Sequence, residues 1–241
     1  MSETPSLSVV VFAYNEAENV GSVLDELNAW LEKNRGDAEI VFVDDGSSDD
    51  TGAIAKRILE QRRCQFVRHE RNRGIGAALK TGVNTAKSQW VTFMPADGQI
   101  EPEAIATLCQ AAEAESADVV LSVYDHRADG LDRKILSWGV RTLILLIHGV
   151  ALRSDGPYLF KRSIFIPEEL PPDSFFLNFE FPIRALLAGL KVSTVTIRCR
   201  PRRGGISKST GFRRITAVAR DLVDLRARRL RSFIARTLGV E

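Results

Sequence analysis

The chain has 241 residues, 44% hydrophobic and 27% charged, with a formal net charge of +2. That length buries a full core, and the composition excludes a disordered, collagen-like or disulfide-stapled chain. The net charge conceals an asymmetry: residues 1–130 carry 12 Lys/Arg against 22 Asp/Glu, and residues 131–241 carry 21 against 9. The two halves are therefore expected to face different partners, with phosphates or an anionic surface suiting the second. Cys64, Cys109 and Cys199 stand far apart with no paired spacing, which argues against structural zinc and points to a reducing, cytoplasmic compartment. The polar Met1–Ser6 segment does not read as a leader, and no run approaches the ~18 apolar residues of a membrane span.

In chain order, Leu7–Ala13 is a continuous apolar run that predicts a buried parallel strand. Asn19–Leu31 has helical spacing, Ile40–Val43 reads as a second strand and Thr51–Gln61 as a helix. Cys64–Arg68 predicts a strand, Gly74–Ala86 a helix, Trp90–Met94 a strand, a helix runs from Glu101 to about Ala114, and Val119–Val123 is a strand. This β-α alternation predicts a doubly wound, mostly parallel α/β sheet with helices on both faces. The pattern then changes. Ile135–Leu152 is helix-like and strongly apolar, Tyr158–Phe160 a short strand and Pro167–Asp173 a loop. Asn178–Ala188 predicts a helix, Lys191–Arg198 a strand, and Phe212–Thr237 a basic amphipathic helix. The expected organisation is one domain over residues 1–210 with a helical appendage at 211–241.

The chemistry collects at predicted strand ends. Tyr14-Asn15-Glu16 follows the first strand, Asp44-Asp45 ends the second, and Asp97 with Gln99 follows the fourth. In an open α/β sheet these ends converge on one edge, where ligands bind. Adjacent residues on a strand point to opposite faces, so Asp44 and Asp45 are expected to divide their work between the ligand and the supporting turn. The blander alternative is an acidic turn with helix capping through Asp50 and Thr51. Carboxylates gathered at such an edge suit a sugar nucleotide, or a Mg²⁺ or Mn²⁺ ion with hard oxygen ligands. Gly204-Gly205-Ile206-Ser207-Lys208 is a glycine-rich basic loop, and lysine binds phosphate as a point charge.

Tyr14-Asn15-Glu16, Val43 to Thr51, Asn72 to Ala78, Ala96-Asp97-Gly98-Gln99, Phe179-Glu180 and Arg203 to Lys208, in this order, together resemble family 2 glycosyltransferases of the GT-A fold. The likeness covers roughly residues 7–210 and is greatest to the dolichol- or polyprenyl-phosphate mannose synthase-like branch. It implies that Tyr14, Glu16, Asp44, Asp45, Arg73 and Gly74 contact a nucleotide-sugar. Asp97 and Gln99 would hold Mg²⁺ or Mn²⁺, Arg133 would meet an acceptor phosphate, and Arg203, Ser207 and Lys208 would close over the phosphates. It also implies inversion at the anomeric carbon. Three positions depart from the branch. Pro95 replaces the first acid of the metal motif, Val123 stands where an arginine is usual, and Ser154-Asp155-Gly156-Pro157 differs from the usual run. These departures point away from GDP and mannose.

The expected reaction is sugar transfer to a polyprenyl phosphate or similar lipid. A phosphate acceptor needs no strong base; an alcohol would, with Asp155 and Glu180 as candidates. Glu180 also reads as a buried, paired carboxylate, and His148 as a packed side chain. A soluble glycan acceptor, or a nucleotide-sugar-binding scaffold with weak catalysis, are the competing readings. Residues 198–241 carry 13 Lys/Arg against 3 Asp/Glu, with Ile215, Val218, Leu222 and Leu225 on one helical face. Such a helix suits peripheral association with the cytoplasmic face of an anionic membrane. The alternative is a stripe docked on the domain or on a second subunit of a homo-oligomer. No nucleic-acid partner is expected, because Phe233 is the sole aromatic after Phe212.

Overall fold

The computed structural model describes residues 6–60, 62, 64–125, 131–170, 173–201 and 212–238. Its elements are β1 (Leu7–Ala13), α1 (Ala17–Asn34), β2 (Glu39–Asp44), α2 (Thr51–Leu59), β3 (Cys64–Arg68), α3 (Ile75–Thr85), β4 (Trp90–Pro95), α4 (Glu103–Ala114), β5 (Val119–Tyr124), α5 (Leu131–His148), β6 (Leu159–Lys161), α6 (Leu177–Leu187), β7 (Val192–Ile197) and α7 (Phe212–Leu238). The expected Pro-rich loop contains a short 3₁₀ turn at Pro167–Glu169, for which proline at the first position is pre-set.

The strands form one seven-stranded sheet in the order β3-β2-β1-β4-β6-β5-β7. β6 alone runs antiparallel to its neighbours β4 and β5; the other pairings are parallel. The chain winds outward from β1 in both directions, to β2 and β3 on one side and to β4 on the other. The crevice between β1 and β4 at their carboxyl ends is thus the switch point where a ligand belongs. β6 has a further consequence. An antiparallel strand enters the sheet from the carboxyl edge, so the chain before it, Ser154–Pro157, crosses that edge.

Alternation along the strands sorts side chains into two cores. Val10, Phe12, Val41, Val43 and Phe93 meet α3, α5, α6 and α7 on one face. Val9, Val11, Ile40, Phe42 and Met94 meet α1, α2 and α4 on the other. Both faces being covered explains why the strands read as unbroken apolar runs. Below the cavity described next, Tyr158, Phe160, Phe165 and Phe181 pack with ring centroids 4.9 to 5.6 Å apart, a rigid apolar base.

α7, expected as an appendage, packs against the domain. Leu222 and Leu225 are fully buried in the same core cluster as Val140 and Ile144 of α5. Buried His148 of α5 donates through Nε2 to the Leu222 carbonyl at 3.1 Å. Burial and the nearby Arg229 and Arg226 lower its pKa, so the ring stays neutral and packed, as the sequence suggested. The apolar stripe expected to meet a membrane is thus partly spent on the domain itself. No helix among the described residues is long and apolar enough to cross a membrane. Among the described residues the large exposed apolar side chains are Trp138, Leu145 and Leu146 on α5, Val223 and Leu230 on α7, and Ile166 and Phe175 in loops.

Candidate functional site

Three loops at the carboxyl edge are tied together by short polar side chains. Asn15, held at φ 52, accepts the Ser48 amide at 2.8 Å, while its own amide donates to Ser47 Oγ at 3.0 Å. Asp49, not Asp50, supplies the capping oxygens. Its Oδ1 accepts the Thr51 amide at 3.0 Å and its Oδ2 the Ala17 amide at 3.2 Å, so one carboxylate serves the starts of both α1 and α2. Burial opposes ionisation of Asp49, but these bonds outweigh it and lower its pKa. The turn after β2 needs glycine: Gly46 has φ +73, and a Cβ there would lie 2.3 Å from the Arg71 backbone.

The two aspartates at the end of β2 separate as strand geometry requires. Asp44 is fully buried, accepts the Ser47 amide at 2.9 Å and pairs with Arg68 at 3.3 Å. Asp45 faces the other way. It accepts the amides of Arg73 at 3.0 Å and Gly74 at 2.8 Å, and lies 2.7 Å from His69 Nδ1. His69 Nε2 in turn sits 2.9 Å from Thr81 Oγ1. Asp45 thereby fixes the loop into α3, where Gly74 adopts φ +93, a value that L side chains rarely accept.

Between these loops and the α6/α7 side lies a cavity of about 630 Å³, within the usual range for ligand sites. Of the residues named from the sequence, Tyr14, Glu16, Asp45, Gly74, Asp97, Gln99 and Asp155 line it, together with Pro95. Asp44 does not line it, because its face of β2 turns toward α2. Arg73 does not line it either: its guanidinium lies 3.2 Å from Asp173, which also holds Lys80 at 2.9 Å. Glu180 is fully buried outside the lining, bound by Arg184 at 2.9 Å and Arg228 at 2.8 Å. It bolts α6 to α7, the geometry of the paired-carboxylate alternative. The side chain of Arg133, and Arg203, Ser207 and Lys208, lie outside the described residues.

Asp97 is buried and accepts the Gln99 amide at 3.1 Å. The Gln99 side-chain nitrogen lies 4.0 Å from Cys199 Sγ. Among the described residues, no three His, Cys, Asp or Glu side chains group as a metal site. The donor set is thus one carboxylate and one amide, which fits Mg²⁺ or Mn²⁺ if phosphate oxygens complete the shell. Asp155 is gripped by Arg141 of α5, whose Nη2 lies 2.8 Å from both carboxylate oxygens.

The sequence reading missed the far wall: Tyr124, Phe175, Phe176, Asn178, and Ala217, Val218 and Asp221 of α7. One signal was available. Asp221 interrupts the stripe Val218–Leu222–Leu225 on the inward face of its helix.

Residues 8–176 match Glycosyl transferase family 2, and the chain belongs to that family. Among curated relatives, the dodecaprenyl-phosphate galacturonate synthase of Rhizobium johnstonii is 33% identical over 153 residues, 62% of this chain and 45% of the relative. The undecaprenyl-phosphate 4-deoxy-4-formamido-L-arabinose transferase of Yersinia enterocolitica is 31% identical over 163 residues, 66% of this chain and 49% of the relative. The chain thus spans about half the length of these two relatives. A glucosyl-3-phosphoglycerate synthase from Mycobacterium tuberculosis, solved with Mn²⁺ and UDP, superposes with a TM-score of 0.68 at 20% identity, covering 92% of this chain and 78% of the other. That likeness establishes the shared fold.

Proposed function

We propose that this chain transfers a sugar, with inversion, from a nucleotide-sugar to a polyprenyl phosphate or related lipid phosphate. The observation that carries the acceptor class is the state of the two carboxylates that the sequence offered as a general base. Asp155 is held by Arg141 and Glu180 is locked outside the cavity. A hydroxyl acceptor needs such a base; a phosphate acceptor is already anionic at neutral pH. The names of two relatives, a dodecaprenyl-phosphate synthase and an undecaprenyl-phosphate transferase, support the same class.

Tyr14, Glu16 and Asp45 offer acceptors for the hydroxyl and N–H groups of a nucleoside. Asp97 and Gln99 would hold Mg²⁺ or Mn²⁺ against the diphosphate; once bound, the ion offsets negative charge on the leaving group. An acceptor phosphate oxygen then bonds to the anomeric carbon as its bond to the diphosphate oxygen breaks. Arg141, held by Asp155 at the cavity wall through one nitrogen, offers its remaining N–H donors to the acceptor phosphate. The exposed Trp138, Leu145 and Leu146 of α5 are the surface we assign to a lipid interface, where a tryptophan and aliphatic side chains partition favourably.

The test is a screen of UDP- and GDP-sugars with Mg²⁺ or Mn²⁺, following nucleotide release with and without polyprenyl phosphate. Release that requires both metal and lipid phosphate is expected. Equal release with a water-soluble glycan overturns the lipid acceptor, and tight nucleotide binding without turnover on any acceptor favours a binding protein.

A further inference from the structure

α7 brings into the cavity wall an acidic side chain that no motif announces. Asp221 lines the cavity next to Val218 and together with Phe175, Phe176 and Phe179. It differs from every other acid there. Glu16 accepts the Asn19 amide at 2.8 Å, Asp45 and Asp97 accept backbone amides, and Asp155 is held by Arg141. Among the described residues nothing hydrogen-bonds to Asp221; it feels the charges of Asp224, Arg228, Glu180 and Arg220. Arg228, the stronger of the two counter-charges, commits a nitrogen to Glu180 at 2.8 Å. Burial first, then Asp224, raises the pKa of Asp221.

A carboxylate that lines a cavity without a protein donor is free to take its hydrogen bonds from a ligand. The chemistry of the wall limits that ligand. A phosphate would place like charges together, whereas a sugar ring offers hydroxyl donors to the carboxylate and an apolar face to the phenylalanines. The nucleoside has its acceptors at Tyr14, Glu16 and Asp45 and the diphosphate lies with Asp97, which leaves this wall to the sugar.

We propose that Asp221 accepts a hydrogen bond from a hydroxyl of the transferred sugar and selects uncharged sugars against uronic acids. The inference rests on the glycosyl-transfer reading above. Discrimination would come from repulsion of the wrong ligand as much as from attraction of the right one. It would set this chain apart from the relative whose name specifies galacturonate.

The experiment measures calorimetric binding of UDP, GDP and two matched pairs to the full chain: UDP-glucose with UDP-glucuronic acid, and GDP-mannose with GDP-mannuronic acid. The wild type is expected to favour the neutral member of the pair whose base it binds. Asp221→Asn and the smaller Asp221→Ser should each shrink that preference about tenfold while leaving the free nucleotide's affinity unchanged. Asp224→Asn, an exposed charge on the same helix outside the lining, should leave the preference intact. An unchanged preference in both Asp221 variants, with nucleotide binding preserved, overturns the assignment. So does an equal change in Asp224→Asn, which would indicate the helix's field and not a contact. If neither UDP nor GDP binds, the glycosyl-transfer reading itself fails, and the inference falls with it.

Discussion

Two groups of acids in this molecule are held in different ways. Glu39, Asp45, Asp49 and Asp97 of the first half accept backbone amides. Asp155 and Glu180 of the second are bound by arginines, as Asp44 beneath the cavity edge is by Arg68. An amide fixes a carboxylate in place without cancelling its charge; a guanidinium cancels it. The proposed nucleotide side of the cavity therefore gathers uncancelled carboxylates, suited to a cation and to hydroxyl donors, and the proposed acceptor side does not. The surplus of acids before residue 130 and of arginines after it is thus a division of labour within one site. Asp221 belongs to neither group, which is why it stands out.

The sharpest challenge to this contrast is Asp97→Asn. The side chain is nearly isosteric, and the cavity loses its buried, amide-held charge. Loss of one charge-stabilising group typically costs about 10²–10³-fold in turnover, so steady-state nucleotide release should fall by that much while the melting temperature barely moves. Retained activity would show that the amide-held acid is only structural.

Glu180→Ala attacks the other group. Removing one partner of a buried ionic cluster costs about 3–5 kcal/mol because the remaining charges are left uncompensated. Chemical denaturation should show the loss, and it should be largely recovered when Arg184 and Arg228 are also replaced by methionine. If Glu180→Ala instead lost activity with full stability, Glu180 would return as a catalytic candidate.

Much of this was legible in advance. Continuous apolar runs against helical spacing located β1 to β5, because both sheet faces are covered and neither strand nor helix pattern is blurred. The period of two along β2 separated Asp44 from Asp45, but which one met the cavity depended on the side taken by α2, a long-range outcome. β6, with three residues, carries too little pattern to reveal its direction, and that direction delivers Ser154–Pro157 to the site. The sequence left the role of Glu180 and the inward face of α7 open between two alternatives for a related reason. A basic amphipathic helix looks alike whether its stripe meets lipid or Val140 and Ile144.

Acid titration gives a smaller separation of the two groups. Glu39 accepts the Lys87 amide at 2.5 Å and Ser8 Oγ at 2.5 Å. Burial pushes its pKa up, but these bonds, with Gln65 and Ser88, bring it below the usual 4.5. A depressed carboxylate stabilises the fold above its unfolded pKa and loses that contribution as pH falls through the folded value. Wild type should therefore exceed Glu39→Gln by about 1–2 kcal/mol at pH 7. The gap should close on titration below about pH 4.5. A gap that persisted at pH 2 would assign the difference to packing.

The smallest expected effect lies at Asp155. One nitrogen of Arg141 serves both of its oxygens, both side chains are partly exposed, at 29% and 37%, and exposed pairs contribute about 0–1 kcal/mol. Asp155→Asn should thus change stability by roughly 0.5 kcal/mol or less. With its partner gone, Arg141 carries an uncancelled charge at the cavity wall. If Arg141 meets the acceptor phosphate, KM for polyprenyl phosphate should fall or hold, and its salt dependence should steepen, with kcat little changed. A collapse of kcat restored by raising the pH would mean that Asp155 takes a proton from the acceptor, and the division between amide-held and arginine-held acids would no longer describe the site.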